Sequence, residues 1–284
     1  MFCINTKIVF LDVDGTILLE NGTVPPSTVQ ACQQARKNGH LVFLCTGRSK
    51  AALYANILDI GFDGIIGGAG VFAEVNNELL FRKTLTAVEI KELVDYFTSR
   101  DIEFMLESND GMYGTESLKQ HYLSIIKEDI QNNEFTDEKE HPIYQLMQIT
   151  SFVPVEQLHR HDINKICFMG HPTIPYKEIA PLFEKKLTVV PTSFHKFGAE
   201  GGEISGIGIH KAAGIEAVLK HLQLPREQTL AIGDGINDLE MLQFCEIGIA
   251  MGNAKEELKA VADEVTAAID EDGVYLSFQK HGLI

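Results

Sequence analysis

Apolar residues fall along this chain in two rhythms, short runs that stop abruptly at a polar residue and longer stretches with helical spacing. Ile8-Val9-Phe10-Leu11 stops at Asp12, and Leu41-Val42-Phe43-Leu44-Cys45 stops at Thr46-Gly47-Arg48. Ile65-Ile66, Leu230-Ala231-Ile232 and Ile247-Gly248-Ile249-Ala250 have the same character. Such β-branched and aromatic runs read as buried strands. Between them the spacing predicts helices. One starts near Ser27, with Val29, Cys32 and Ala35 on one face and Gly39 as its stop. Another is capped by Ser49 and runs to about Leu58. A third covers Lys211 to about Leu222 and ends before Pro225, and a fourth starts at Asn237. Asn21-Gly22 and Asn76-Asn77 carry hairpin-turn chemistry, the latter inside Val71 to Phe81.

The middle of the chain differs. Thr86 and Glu89 form a capping box that opens an amphipathic helix through about Ser99. Ile102 to Glu107 and Gly111 to Thr115 read as an antiparallel pair, with a helix near Leu118 to Ile130 after them. Gln131 to His141 reads as a polar surface loop. Ile166 to Met169, a helix near Tyr176 to Lys185, and Leu187 to Val190 complete an α+β block. The fold class that follows is α/β: a doubly wound, mostly parallel sheet (a Rossmann-like core) with an inserted α+β cap domain. Residues 1–83 and 191–284 form the catalytic core domain in this reading, and 84–190 the cap.

The charge narrows the partners. With 40 acidic against 24 basic residues the formal net charge is −16, which repels nucleic acid and anionic membranes alike. A small phosphorylated substrate would also be repelled unless a metal, a lysine or backbone amides supply local positive potential. The five cysteines (Cys3, Cys32, Cys45, Cys167, Cys245) are scattered and never spaced C-x-x-C, which favours free thiols and a cytoplasmic location. No apolar run approaches the ~18 residues of a membrane span. Nothing in the sequence speaks to the oligomeric state.

Candidate chemistry sits at the strand ends. Asp12 and Asp14 are two residues apart, so on extended backbone they project to one side. One carboxylate can act as nucleophile and the other as general acid and base; an Asx-type turn or a plain cation site is the alternative. Thr46 and Gly47 offer a hydroxyl and backbone amides to a phosphoryl oxygen. Asp234, in Gly233-Asp234-Gly235-Ile236-Asn237-Asp238, can share magnesium with Asp12, since that ion prefers one or two carboxylates with water and phosphate. Asp238 would stand behind, orienting a ligand or a water. Asn237 can donate to phosphate or cap a helix. Lys211 is unusual at a helix N-terminus, where anions are favoured, unless carboxylates and a phosphate face it; otherwise it is a surface lysine. His159-Arg160-His161 reads as solvated surface, and Gly206-x-Gly208 lacks the third glycine of a dinucleotide fingerprint.

Taken in order, DVDGT, TGR, EISGIGIHK and GDGIND resemble the motifs of the haloacid dehalogenase-like hydrolase superfamily, nearest its Cof-type phosphatase branch, over essentially the whole chain. The resemblance implies Asp12 as nucleophile and Asp14 as general acid/base. It implies Thr46 and Lys211 on the transferring phosphoryl group, with Asn237 contacting phosphate. Asp12, the carbonyl of Asp14 and Asp234 would hold Mg2+, supported by Asp238. The implied activity is hydrolysis of a small phosphomonoester such as a sugar phosphate or phosphorylated cofactor. A phosphotransferase or mutase on the same core, or a phospho-ligand sensor, is the alternative. Two segments depart from the family pattern: Ala69-Gly70-Val71 stands where Asn-Gly-Ala is common, and His210-Lys211-Ala212 where Ser-Lys-Gly is.

Overall fold

The computed structural model describes residues 6–192 and 194–284, so Cys3 lies outside the described residues. The strands are, in chain order, β1 (Ile8–Leu11), β2 (Leu41–Cys45), β3 (Gly64–Gly67), β4 (Phe72–Val75), β5 (Glu78–Arg82), β6 (Phe104–Glu107) and β7 (Met112–Gly114). They continue as β8 (Thr150–Phe152), β9 (Lys165–Phe168), β10 (Leu187–Pro191), β11 (Gly202–Gly206), β12 (Thr229–Gly233), β13 (Ile247–Ala250) and β14 (Glu264–Val265). Two compact units result, one formed by the chain up to Arg48 with Leu53–Arg82 and Ile209–Ile284, the other by Ser49–Ala52 with Lys83–Gly208.

The first unit holds an eight-stranded sheet in the order β14-β13-β12-β1-β2-β3-β4-β5. Pairing is parallel from β14 through β3 and antiparallel at the β3–β4–β5 edge. β1 is central and wholly buried, which is why its four residues are all apolar. The helix Pro26–Lys37 packs Ala31, Cys32 and Ala35 into the same core. Asn76 and Asn77 both take positive φ, 51° and 65°, as a two-residue hairpin turn requires. Asn21-Gly22 also makes a turn, closed by Leu19 N on Thr23 O at 2.9 Å, but no strands flank it.

The expected Ser49 helix breaks in two. A 3-10 turn covers Lys50–Ala52 and a single helical turn covers Ala55–Leu58. Tyr54, between them, has extended backbone, and its ring lies 5.1 Å from the Arg48 guanidinium carbon.

The second unit carries a six-stranded sheet, β10-β11-β9-β6-β7-β8. Phe104, Leu106, Ile166, Phe168 and Ile204 face the helices Ala87–Thr98 and Tyr176–Phe183. Met105 and Cys167, on the opposite face, pack with Leu118, Tyr122 and Ile126 of the helix Glu116–Gln131. The Thr86–Glu89 capping box forms as expected. Three elements here are absent from the hydrophobic pattern: β8, β11 and the helix Pro142–Gln148. The sheet therefore continues past Val190, because β11 lies between β9 and β10 and holds the segment as far as Gly206. Gln131 to His141 is not wholly a surface loop. His141 is fully buried; its Nδ1 accepts from Ile143 N at 3.1 Å, and its Nε2 lies 2.8 Å from Asp129 Oδ2.

One charged group crosses the buried face of this sheet. Lys165 Nζ donates to Glu203 Oε2 at 2.8 Å and lies 3.5 Å from Glu107 Oε1, with all three side chains largely withdrawn from water. Lys165→Met should leave both carboxylates buried without their counter-charge. Breaking a buried pair in this way costs about 3–5 kcal/mol, so thermal denaturation should show a clearly lowered transition. A melting curve matching the wild type would show that the lysine holds nothing there.

Candidate active site

β1 and β12 run side by side with Leu11 opposite Ile232, and Asp12 N donates to Ile232 O at 3.0 Å. The loops that follow, Asp12–Thr16 and Gly233–Asp238, therefore leave the sheet at one level. Thr16 joins them by donating from Oγ1 to Asp234 Oδ1 at 3.2 Å. Gly15 allows the approach: its φ is +78°, and a Cβ there would overlap the Asp234 carboxylate.

Lys211 opens the helix Lys211–Leu222 but points into the protein, fully buried. Its ammonium donates to Asp12 Oδ1 at 2.5 Å and to Asp238 Oδ1. Burial alone would drive the ammonium to shed its proton; Asp12 and Asp238 reverse that and raise its pKa above the ordinary lysine value. The surface-lysine alternative is thus excluded. His210 caps the helix, with Nδ1 accepting from Ala213 N at 3.3 Å, so it can take the capping place of the serine common in the family. Gly70, at φ +105°, packs against the His210 carbonyl, where a Cβ would overlap. The preceding Ala69 sits at φ 56°. Asparagine tolerates that conformation better than alanine.

Both oxygens of Asp238 are engaged. Oδ1 takes the lysine, and Oδ2 accepts from Asp234 N and Gly235 N at 3.0 Å each. Asp238, not Asn237, therefore caps the 3-10 turn Ile236–Asp238. Asn237 lies inside that turn, its Nδ2 3.8 Å from the Cβ position of Gly47, so β2 and β12 bring these two together. Thr46 is buried at the end of β2, and its Oγ1 accepts from Arg48 N at 3.1 Å, leaving the hydroxyl proton to donate. Asp14 is exposed, and the Arg48 guanidinium grips both its oxygens, at 2.9 and 2.7 Å. A carboxylate held by that fork cannot pass on a proton until it turns away. The pattern named Arg48 without giving it a task; the signal was an arginine just past the end of β2, next to β1 and the Asp14 loop that follows it.

Asp12, Asp234 and Asp238 offer carboxylate oxygens within 4.8 Å of one another. Three carboxylates against one ammonium leave −3 + 1 = −2 when all are ionised. Without a cation such a site takes up protons instead. Burial, then Asp238, pushes Asp12 well above the usual carboxylate range, and burial with Asp238 lifts Asp234 to about 7. Asp238 already accepts from the lysine and two amides, so Asp12 and Asp234 have more oxygen capacity to offer an ion. Oxygen donors with an excess of two negative charges fit a hard divalent cation.

The haloacid dehalogenase-like hydrolase family model matches residues 9–277. The chain belongs to this family. Two Bacillus subtilis (strain 168) relatives resemble this hydrolase along its length. YkrA is 27% identical over 280 residues, covering 99% of both chains. 5-Amino-6-(5-phospho-D-ribitylamino)uracil phosphatase YitU is 27% identical over 280 residues, covering 94% of both. Among solved structures, the subclass IIB sugar phosphatase BT4131 superposes with a TM-score of 0.77 at 25% identity, covering 98% of this chain and 100% of its own. BT1666 from Bacteroides thetaiotaomicron, a phosphatase of the same superfamily, gives 0.78 at 26%, covering 98% and 96%. The hydrolase is accordingly a phosphatase, with the two-sheet α/β fold of its neighbours.

The raised carboxyls set a pH dependence. A carboxyl whose folded pKa lies above its unfolded value favours folding at low pH and loses that contribution as pH rises toward the folded value. In a chelator, stability should therefore fall between about pH 4 and the value of about 7 reached by Asp234. Asp234→Asn should flatten that slope and raise the melting temperature at pH 8. Melting curves at several pH values test this; a slope unchanged by the substitution would show that Asp234 is not the strained group.

Proposed function

We propose that this phosphatase hydrolyses a small phosphomonoester through a phosphoenzyme on Asp12, with Mg2+ bound by Asp12, Asp234 and the main-chain carbonyl of Asp14. The observation that carries the reading is the Lys211 ammonium on Asp12 Oδ1. It fixes the carboxylate in one rotamer, so Oδ2 is the oxygen presented for attack. The carbonyl role for Asp14 rests on the family resemblance. The bound ion would neutralise charge on the phosphoryl oxygens.

This chain's own groups do the rest. Oδ2 of Asp12 forms the new bond to phosphorus as the bond to the ester oxygen breaks. Asp14, swung from Arg48 and protonated, gives its proton to that leaving oxygen. Water then attacks phosphorus, Asp14 takes its proton, and the bond to Asp12 breaks to release phosphate. Lys211, the Thr46 hydroxyl, the Gly47 amide and Asn237 hold the phosphoryl oxygens through both steps. The inserted segment takes the cap role that the family resemblance implies, selection of the leaving group. Relatives named for a phosphoribitylaminouracil and for sugar phosphates put phosphorylated sugars and polyols first in a substrate screen. Among the described residues no helix is long and apolar enough to cross a membrane, and the four described cysteines are free, buried thiols. The thiols support a reducing, cytoplasmic setting.

Rapid-quench labelling with mass spectrometry separates the two aspartates. Asp12→Asn should form no phosphoenzyme and fall to background. Asp14→Asn, given an activated ester that needs no proton, should still label Asp12 and then hydrolyse it about 10²–10⁴-fold more slowly. Phosphate found on Asp14 would overturn the assignment. Chelation should abolish turnover and magnesium restore it, with calcium a poor substitute because its looser coordination misplaces the attack.

A further inference from the structure

The loop after β13 contributes nothing to the reaction just described, yet it is bonded to both acidic loops. Its backbone holds one of them: Met251 N donates to Gly233 O at 2.9 Å and Lys255 N to Asp234 O at 3.3 Å. A single side chain, Asn253, holds the other. Its Nδ2 donates to Gly15 O at 2.8 Å while its Oδ1 accepts from Ile269 N at 2.9 Å. Asn253 is exposed, and an exposed amide ordinarily contributes little because water competes for both its groups. Here its backbone is fixed beforehand. Gly252 N donates to Ala267 O at 2.9 Å, and a Cβ on Gly252 would overlap Ala267 and Ala268.

Gly15 is the residue whose placement matters most in its loop. It lies against the Asp234 carboxylate, and its N–H donates to Leu18 O at 3.0 Å. Peptide planarity then turns the Asp14 carbonyl the opposite way. The second peptide of the turn, which carries Gly15 O, is the one that Asn253 holds.

We propose that Asn253 is a positioning residue for the cation centre: by fixing the Gly15 carbonyl, it sets the distance between the Asp12 loop and Asp234. The inference rests on the reading of Asp12 and Asp234 as Mg2+ ligands. Groups that orient ligands from behind typically change metal affinity by about 10–100-fold when removed.

Two variants separate the contacts. N253A loses both hydrogen bonds, whereas N253D keeps the acceptor for Ile269 N and loses only the donor to Gly15. The aspartate's added negative charge would, by itself, tighten cation binding. Calorimetric titration of the metal-free proteins with MgCl2 should therefore show Kd raised on the order of 10-fold in both variants. Amide exchange at Thr16, Ile17 and Leu18 in EDTA should quicken in both, with melting in EDTA close to wild type. Unchanged Mg2+ affinity and exchange, or losses confined to N253A, would overturn the inference and leave the magnesium reading standing. A wild-type protein that binds no Mg2+ would overturn that reading and this inference together.

Discussion

An ammonium group withdrawn from water between two carboxylates is the contact on which this molecule turns. Lys211 sits wholly inside the protein between Asp12 and Asp238. A buried charge is tolerated only when it is paired and its hydrogen bonds are filled, and this one ties together three parts of the fold. They are the end of β1, the first turn of the helix Lys211–Leu222 and the turn after β12. Asp238 passes the constraint on through the amides of Asp234 and Gly235. Asp12, its lysine and the second acidic loop are thus held together, although they are far apart in sequence.

That arrangement is deliberately short of positive charge. One lysine cannot balance three carboxylates, and Arg48 is committed to Asp14. The deficit appears as protons held above their ordinary range on Asp12 and Asp234. Oxygen donors with this imbalance suit a divalent cation.

Much of this was legible in the sequence, and the reason differs from element to element. β1, β2 and β12 are continuous apolar runs cut off by Asp, Thr or Gly, a pattern that marks both the strand and the end where the candidate site lies. The capping box at Thr86 and the turn at Asn76-Asn77 rest on local chemistry, so they were readable as well. β11 was not: Gly202-Glu-Ile-Ser-Gly206 has one large apolar residue, and it is a strand because β9 and β10 supply partners on both sides. β8 is three residues, and the helix Pro142–Gln148 is short and capped by a buried histidine, a residue type that carries no cap signal in a one-dimensional pattern. Around the site, the strand-end residues were nameable, and so was a lysine facing carboxylates, but two pairings between loops were not. Arg48 on Asp14 and Asn253 on Gly15 are contacts between loops, which periodicity does not encode.

The central place of β1 also bears on how the protein is made. In chain order β2 follows β1 closely, but the other neighbour of β1, β12, begins only at Thr229. The lysine that balances Asp12 arrives 199 residues after it. Throughout that interval on the ribosome, one edge of an apolar strand stays open and Asp12 lacks the lysine that pairs with it. The six strands from β6 to β11 find all their partners between Phe104 and Gly206, so their sheet can close while β1 is still waiting. A chain halted before β12 would carry a complete smaller sheet joined to a larger one that still lacks β12, β13 and β14.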